Sequence, residues 1–189
     1  MSTHLFAWNP AIWNWPELAD DIRSLARRGH VDTRWSCGRF RHIEPGSRAF
    51  LLRLGVPPKG LFGSGVVLTA PVEETHWIEE KAAAGKPALY VTLRLEHLFD
   101  RPLITFDEFE VAPWRRFRWG VRASGTRLPA SLADPLEPWW AERADAALAG
   151  PSGRASRPAN SARRTGAAPS ARKGRGAAAR AVNPRKAQR

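Results

Sequence analysis

The sequence predicts an α+β protein, built as a small, partly closed β-barrel with helices at its periphery. Three observations support this fold class. Strand-like segments outnumber helical ones, and strands do not alternate with helices as they do in βαβ units. The first 150 of the 189 residues are also numerous enough to bury a hydrophobic core without the help of disulfides.

The first two elements are a strand and a helix. Residues 4–9 predict the strand, and residues 13–29 predict the helix. Asn14 can cap this helix with Glu17 as its capping-box partner, and Gly29 can end it. Three apolar residues are spaced to share one face of the helix: Leu18, Ile22 and Leu25.

The middle of the sequence holds two predicted strands. Residues 31–47 are rich in turn-forming residues and predict no regular element. Strands follow at residues 48–55 and 61–71, separated by the turn sequence PPKG. Within the second strand, Gly63 and Gly65 predict a bulge or the close approach of another backbone segment.

The remaining elements of the domain are two helices and two strands. Residues 75–85 predict a short helix that ends at Gly85, and residues 88–95 predict a strand in which every second residue is apolar. Residues 114–121 predict a last strand. Residues 131–150 predict a closing helix with prolines near its start.

The formal net charge of +12 is concentrated in one part of the sequence. Residues 151–189 contain eleven Arg and Lys and no Asp or Glu, whereas residues 1–150 contain 19 basic and 18 acidic residues. The tail at 151–189 also lacks Leu, Ile, Phe and Trp, so it cannot bury enough apolar surface to offset chain entropy. We therefore expect a nearly neutral domain at 1–150 followed by a disordered basic tail.

The composition of the tail suits nucleic acid. A cationic segment without aromatic residues can contact phosphates without reading sequence. A solubilising extension with no binding role is the alternative. The candidate phosphate-binding residues are Arg154, Arg157, Arg163, Arg164, Arg172, Lys173, Arg175 and Arg180.

Cysteine content and hydropathy favour a cytoplasmic protein. Cys37 is the single cysteine, so no internal disulfide can form. The first 15 residues lack the basic and apolar regions of a signal peptide, and no apolar run is long enough to span a membrane. We expect a cytoplasmic, nucleoid-associated location and no membrane partner.

No pattern of side chains predicts catalysis or metal binding. Cys37 has His30 and His42 nearby in sequence, but a nucleophile and its base are usually distant in sequence, so a structural thiol is the better interpretation. His76 and Glu79 do not form the H-E-x-x-H zinc motif, and no second cysteine is present to join a histidine. We therefore expect a protein that is not an enzyme, with no metal and no cofactor.

Nine tryptophans, all within residues 1–150, are the most unusual feature of the composition. Most of them are expected in the core, because a buried indole supplies a large apolar area. Trp35 and Trp77 stand in polar, turn-like surroundings, where an indole ring can serve as a stacking surface for a nucleobase.

Four segments, taken together, resemble the EVE-type domains of the PUA-like superfamily, which are related to YTH and ASCH domains. They are AWNPAIWNWPEL, RWSCGRFRHIEPGSRAFLLRLGVPPKGLFGSGVV, HWIEEKAAAGKPALYV and RWGVRASGTRLP, and they cover roughly residues 5–140. The similarity is greatest to the version fused in bacteria to HNH nucleases or other restriction-type effectors. The resemblance implies a β-barrel with flanking helices and a pocket that receives a modified cytosine or adenine flipped from a duplex.

The resemblance also implies which residues form the base-binding pocket. The matching residues supply a polar group at the end of the first strand, aromatic cage walls with a polar neighbour, and a Ser-Gly step: Asn9, Trp35, Ser36, Trp77, Ser124 and Gly125. The sequence departs from the relatives before the Ser-Gly step, where Arg122 and Ala123 replace the usual Gln-Ser. No nuclease motif accompanies the domain, so cutting of DNA would need a separate nuclease or effector as partner.

The sequence therefore predicts a nucleic-acid-binding protein that recognises a modified, flipped base in DNA, while the tail adds affinity for the backbone. Two alternatives bind nucleic acid in other ways. One is a nucleoid-associated architectural protein that binds DNA through its tail, and the other is an RNA-binding PUA-like protein. An enzyme is the remaining alternative.

Overall fold

The computed structural model describes residues 1–150, which form an α+β domain with one eight-stranded sheet and three α-helices. The strands are β1 (Thr3–Trp8), β2 (Val31–Ser36), β3 (Arg48–Arg53), β4 (Gly60–Val67), β5 (Val72–Thr75), β6 (Pro87–Leu98), β7 (Ile104–Thr105) and β8 (Thr126–Leu128). The helices are α1 (Leu18–Arg28), α2 (Glu79–Ala83) and α3 (Ala130–Leu148). The predicted α+β class is confirmed.

The strands follow the order β2-β6-β4-β3-β1-β8 across an open sheet. β1 and β3 are parallel, and the other neighbours are antiparallel. Two short strands lie off this path, with β5 paired to β6 and β7 paired to β4. The sheet therefore has β2 at one end and β8 at the other.

The central strands are buried on both faces, between two hydrophobic cores. Neighbouring residues of β1 enter different cores, with Phe6 in the first and Leu5 in the second. α1 packs on the first core through the predicted face of Leu18, Ile22 and Leu25. α3 covers the second core, largely through Leu136 and the fully buried Trp140. This two-sided burial explains why β1, β3 and β4 have apolar residues on both faces of the strand.

Several sequence predictions are confirmed with small shifts at the ends of elements. The predicted strands at 4–9, 48–55, 61–71 and 88–95 correspond to β1, β3, β4 and β6, and both later helices form. The prediction for Gly65 is also confirmed. The pairing of β4 with β6 shifts register between Ser64 and Gly65, and a Cβ on Gly65 would lie 2.0 Å from the Arg94 carbonyl oxygen.

The predicted start of the first helix is wrong. α1 begins at Leu18, Asn14 lies outside it, and no side chain caps its N-terminus. The reason is a turn in the preceding segment, where the backbone N–H groups of Ile12 and Trp13 each donate to the Asn9 carbonyl oxygen at 3.0 Å. The predicted end is confirmed, because Gly29 adopts φ +78° and donates its N–H to the Leu25 carbonyl oxygen.

Residues 31–47 contain a strand that the sequence did not predict. β2 pairs with β6 along its whole length, but Trp35 is its only fully buried side chain. Its other residues are polar or partly exposed, so no apolar alternation is present. β5 escapes prediction for the same reason, because all four of its residues are exposed.

The predicted strand at residues 114–121 is wrong. This segment begins with a 3-10 turn at Trp114–Arg116 and continues as an irregular loop, and the strand at this end of the sheet is β8. The aromatic residues anchor the loop instead of alternating in a strand. The indole Nε1 of Trp114 donates to the Leu132 carbonyl oxygen at 3.2 Å, and Trp119 is buried in the second core.

Candidate functional site

A cleft of about 710 Å³ opens where the two ends of the sheet approach each other. The segment after β2 contacts the segment before β8, since a Cβ on Gly38 would lie 2.9 Å from the Ser124 carbonyl oxygen. The end of β1 and the loop after it form a third wall. The His76–Trp77 pair, Lys81 of α2 and the start of β6 complete the lining.

The structure brings five of the six predicted pocket residues to this one cleft. These five residues, from distant parts of the chain, line it: Asn9, Trp35, Ser36, Trp77 and Ser124. Gly125 is buried directly behind Ser124 and does not line the cleft. It adopts φ +86°, and a Cβ there would lie 2.8 Å from the Cys37 carbonyl oxygen, so only glycine fits without strain.

Trp35 differs from the expectation of an exposed cage wall. It lies in β2, not in a turn, and is only 4% exposed because it belongs to the first core. The Trp15 ring packs edge-on against it, with ring centroids 4.9 Å apart. Trp35 therefore forms part of the floor of the cleft, and its main contacts are with the core.

The accessible aromatic rings of the cleft are those of Trp13 and Trp77, which are 39% and 44% exposed. Sequence reasoning missed Trp13, which was assigned to the first helix. The sequence held no signal for it, because Trp15 also precedes the apolar periodicity that starts at Leu18 and is buried in the first core.

Trp77 is held by its neighbour in sequence. Its ring stacks on that of His76 with centroids 5.8 Å apart and planes inclined by 27°. Nδ1 of His76 accepts the backbone N–H of Ile78 at 2.9 Å. Partial loss of hydration and the neighbouring Lys81 lower the pKa of His76, which agrees with a neutral ring that accepts this hydrogen bond.

Three predicted polar residues present hydrogen-bond donors in the cleft. The Asn9 side-chain oxygen accepts the Ala11 N–H at 3.0 Å, and the Ser124 hydroxyl oxygen accepts the Ala7 N–H at 3.2 Å. The Ser36 hydroxyl similarly accepts a backbone N–H, that of Gly38, at 3.4 Å. Since each oxygen accepts a backbone hydrogen, the Asn9 amide group and the two hydroxyl hydrogens remain to donate to a ligand.

The lining of the cleft is cationic. Three basic residues, Arg34, Lys81 and Arg122, line it, and no Asp or Glu does so among the described residues. The Arg34 guanidinium lies 4.3 Å from the centre of the Tyr90 ring and forms an ion pair with Glu74, outside the lining. An anionic ligand would therefore meet attractive charge at this cleft.

The thiol of Cys37 lies in an environment that suppresses its ionisation. Cys37 is fully buried, and burial raises the pKa of its thiol to about 11. Its Sγ donates to the Phe40 carbonyl oxygen at 3.5 Å. The thiol is therefore protonated near neutral pH, and it fills space behind the cleft. Within residues 1–150, no group of three or more His, Cys, Asp or Glu side chains is arranged to hold a metal ion.

The predicted tail lies outside the described residues. This applies to the expected disorder of residues 151–189 and to the candidate phosphate-binding residues within them: Arg154, Arg157, Arg163, Arg164, Arg172, Lys173, Arg175 and Arg180.

Comparison with known proteins identifies a shared fold. No protein-family profile and no curated protein matches the sequence. A hypothetical protein from Leishmania major has a similar structure, with a TM-score of 0.52 and 15% identity over 76% of this chain and 96% of its own. A protein from Pseudomonas syringae has a TM-score of 0.51 and 16% identity over 75% of this chain and 99% of its own. Among the described helices, none is both long and apolar enough to cross a membrane.

Proposed function

We propose that this protein binds DNA through a PUA-like, EVE-type domain, and that its cleft receives a modified base flipped out of the duplex. The observation that carries the proposal is the convergence at one cleft of five residues that the resemblance implies, from four separate segments of the chain. These residues lie beside two accessible indole rings and three basic side chains. Each group has a part in holding a flipped nucleotide.

The indoles supply the stacking surface. A flipped base exposes two apolar π-faces that must leave water, and each face stacks favourably on an aromatic ring. Trp13 and Trp77 are accessible in the free domain, so they can meet a base without rearrangement of the core. Trp35 supports this surface from below. It packs edge-on against Trp15, and the ring centroids of Trp35 and Trp13 lie 5.8 Å apart.

The polar groups can read the edge of the base. Modified cytosine and adenine both present acceptor nitrogens or oxygens on the Watson–Crick edge. Donors from Asn9, Ser36 and Ser124 suit such acceptors, and the exposed Arg122 lies beside them in the cleft. In the relatives Gln-Ser precedes the Ser-Gly step, so Arg122 and Ala123 give this protein a different edge-recognition surface.

The proposed barrel is supported by the approach of the two ends of the sheet. Contacts of Gly38 and Cys37 with residues 124–125 bring the β2 and β8 ends together without hydrogen-bonded pairing of those strands. A partly closed barrel of this kind would leave its mouth at the join, which is where the cleft lies. The basic tail would add contacts to phosphates that do not depend on sequence.

The proposal is tested by titrating the full chain with duplexes that differ at one base. Matched duplexes would carry unmodified cytosine, 5-methylcytosine, 5-hydroxymethylcytosine, unmodified adenine or N6-methyladenine at the same position. We expect preferential binding to one modified duplex. Trp77→Ala or Trp13→Ala should lower that affinity by about 1–3 kcal/mol, or roughly 5- to 140-fold, because one stacking face is lost.

Trp139→Ala is the matched control, because Trp139 is a partly exposed indole on α3 that lies outside the cleft. It should leave the ratio of modified to plain affinity unchanged. Equal affinity of the unaltered protein for all five duplexes contradicts the proposal. If the protein prefers the corresponding single-stranded RNA instead, the RNA-binding alternative takes its place.

A further inference from the structure

Residues 115–122 form a second charged surface on the domain, which we call the arginine ridge. Four exposed arginines lie within these eight residues: Arg115, Arg116, Arg118 and Arg122. None of the four makes an ion pair within residues 1–150, and residues 111–133 contain no Asp or Glu. The domain is almost neutral as a whole, so this concentration of unneutralised charge is local.

The aromatic residues between the arginines fix the ridge to the domain. The Trp119 ring is buried and stacks on Phe109 with centroids 3.6 Å apart and planes inclined by 11°. Its Nε1 donates to the Trp114 carbonyl oxygen at 3.3 Å, and Phe117 packs edge-on against it. The apolar side chains thus face the second core while the arginines face solvent.

The backbone of the ridge is also held by local hydrogen bonds. The N–H of Arg115 donates to the Val111 carbonyl oxygen and that of Phe117 to Trp114, both at 2.9 Å. The N–H of Val121 donates to the Trp119 carbonyl oxygen at 2.7 Å. The arginines therefore project from a defined backbone, and less entropy is lost when they bind than when a segment without fixed structure binds.

The ridge is continuous with the cleft. Val121 and Arg122, at the end of the ridge, line the cleft together with Ala123 and Ser124, which follow the ridge directly in the chain. If a nucleotide occupied the cleft, the adjacent nucleotides of the same DNA strand would therefore lie close to one end of the ridge. Guanidinium groups suit those neighbours, because they form charge-assisted, often bidentate, hydrogen bonds with phosphate.

We propose that the arginine ridge is a binding surface for the sugar–phosphate backbone of DNA, built into the folded domain and separate from the tail. The choice of DNA as the polyanion rests on the proposed function. An anionic membrane suits the ridge less well, because the ridge's own aromatic residues point into the core and cannot insert, which leaves only the electrostatic part of membrane binding. The ridge would position the duplex, and the cleft would select the base.

The test uses the full chain and a short mixed-sequence duplex of unmodified DNA, titrated at several salt concentrations. In the ridge variant, Arg115, Arg116 and Arg118 are each changed to Gln, while Arg122 is kept because it lines the cleft. We expect the plot of log affinity against log salt to become shallower by roughly three units, as three phosphate contacts are lost. The same loss is expected with a modified duplex, so the ratio of modified to plain affinity stays unchanged.

Two further variants make the result decisive. In the control, Arg23, Arg27 and Arg28 of α1 are changed to Gln, which removes the same charge from exposed residues that do not line the cleft. It should change the slope by much less than the ridge variant. The variant Arg115→Lys, Arg116→Lys and Arg118→Lys should retain most of the slope, and unchanged melting of each variant would show that the fold is intact.

Equal losses of slope in the ridge and α1 variants would overturn the proposal, because net charge alone would then explain the effect. An unchanged slope in the ridge variant would overturn it too. The proposal would also be overturned if the ridge variant lost binding to phosphatidylserine vesicles while its binding to DNA stayed intact. Failure of the base-recognition proposal would give a different result, namely equal affinity of the unaltered protein for modified and plain duplexes. The ridge would still be tested by the slope of log affinity against log salt on plain DNA.

Discussion

The indole ring of Trp13 stacks on that of Trp15, with ring centroids 5.6 Å apart and planes inclined by 19°. Trp15 is buried at 5% exposure, and its Nε1 donates to the Asp21 carboxylate at 3.0 Å, which ties the pair to α1. The stack therefore runs from the first core to the surface of the cleft. Removal of an inner ring should affect stability, whereas removal of the outer ring should affect what the cleft can bind.

Trp35→Ala should reduce the free energy of unfolding by about 3–5 kcal/mol, because the change leaves a large cavity in the first core. Denaturant unfolding of the variant measures the loss. Trp77→Ala is the matched control, since Trp77 is exposed, and it should cost about 1 kcal/mol or less. If Trp35→Ala unfolds like the unaltered protein and only base binding is weakened, the assignment of Trp35 to the core is wrong.

Gly65→Ala should destabilise the domain by more than about 2 kcal/mol. The added Cβ would lie 2.0 Å from the Arg94 carbonyl oxygen, so β4 and β6 would have to move apart at the register shift. Gly120→Ala is the control, because a Cβ there has no neighbour within 4 Å. Thermal unfolding should separate the two variants, and equal melting temperatures would contradict the close approach at Gly65.

Stability should fall as the pH drops below the ordinary histidine pKa of about 6.5, in part because of His4. Burial lowers the pKa of His4, although its hydrogen bond to the Gly125 carbonyl opposes this, and Arg127 lowers it further. Below pH 6.5 the unfolded chain therefore binds a proton that the folded chain does not. The contribution is fully present above that pH and is lost as the pH falls towards the folded pKa, with a slope of at most about 1.4 kcal/mol per pH unit.

The measurement is denaturant unfolding of His4→Gln across this pH range. Nδ1 of His4 lies 3.0 Å from the Gly125 carbonyl oxygen, and Nε2 accepts from the Ser2 hydroxyl at 3.2 Å, so the neutral ring is already satisfied. The variant should show a flatter dependence on pH, although His97 contributes with the same sign because burial also lowers its pKa. A slope as steep as that of the unaltered protein would exclude a contribution from His4.

Deletion of residues 151–189 should weaken binding to any duplex and reduce the salt dependence of affinity. The deleted segment carries eleven basic residues and no acidic ones. If it contacts about six phosphates, the plot of log affinity against log salt should become shallower by roughly five units. Preference for a modified base should survive the deletion. An unchanged salt slope would show that these residues do not contact DNA.

Four features could be predicted from the amino-acid sequence: the α+β class, the positions of the apolar strands, the closing helix, and the division between a nearly neutral domain and a cationic segment. These features depend on local patterns. The apolar runs of β1, β3 and β4 reflect burial on two faces, and the alternation in β6 reflects burial of one face, whose leucines and valine lie in the first core. The resemblance to a family added six predicted pocket residues, five of which line the cleft, and no local pattern could have joined them.

Other features depend on contacts between residues that are far apart in the chain. β2 and β5 are held mainly by pairing with β6, and their largely exposed, polar side chains carry no periodic signal. Whether each tryptophan is buried or exposed also depends on such contacts. Trp35 is buried among the side chains of the first core, which include Trp15, whereas Trp13 stacks on the outer side of Trp15 and stays accessible in the cleft. Burial is a property of what surrounds a side chain in space, so an indole in a polar stretch of sequence can lie in the core.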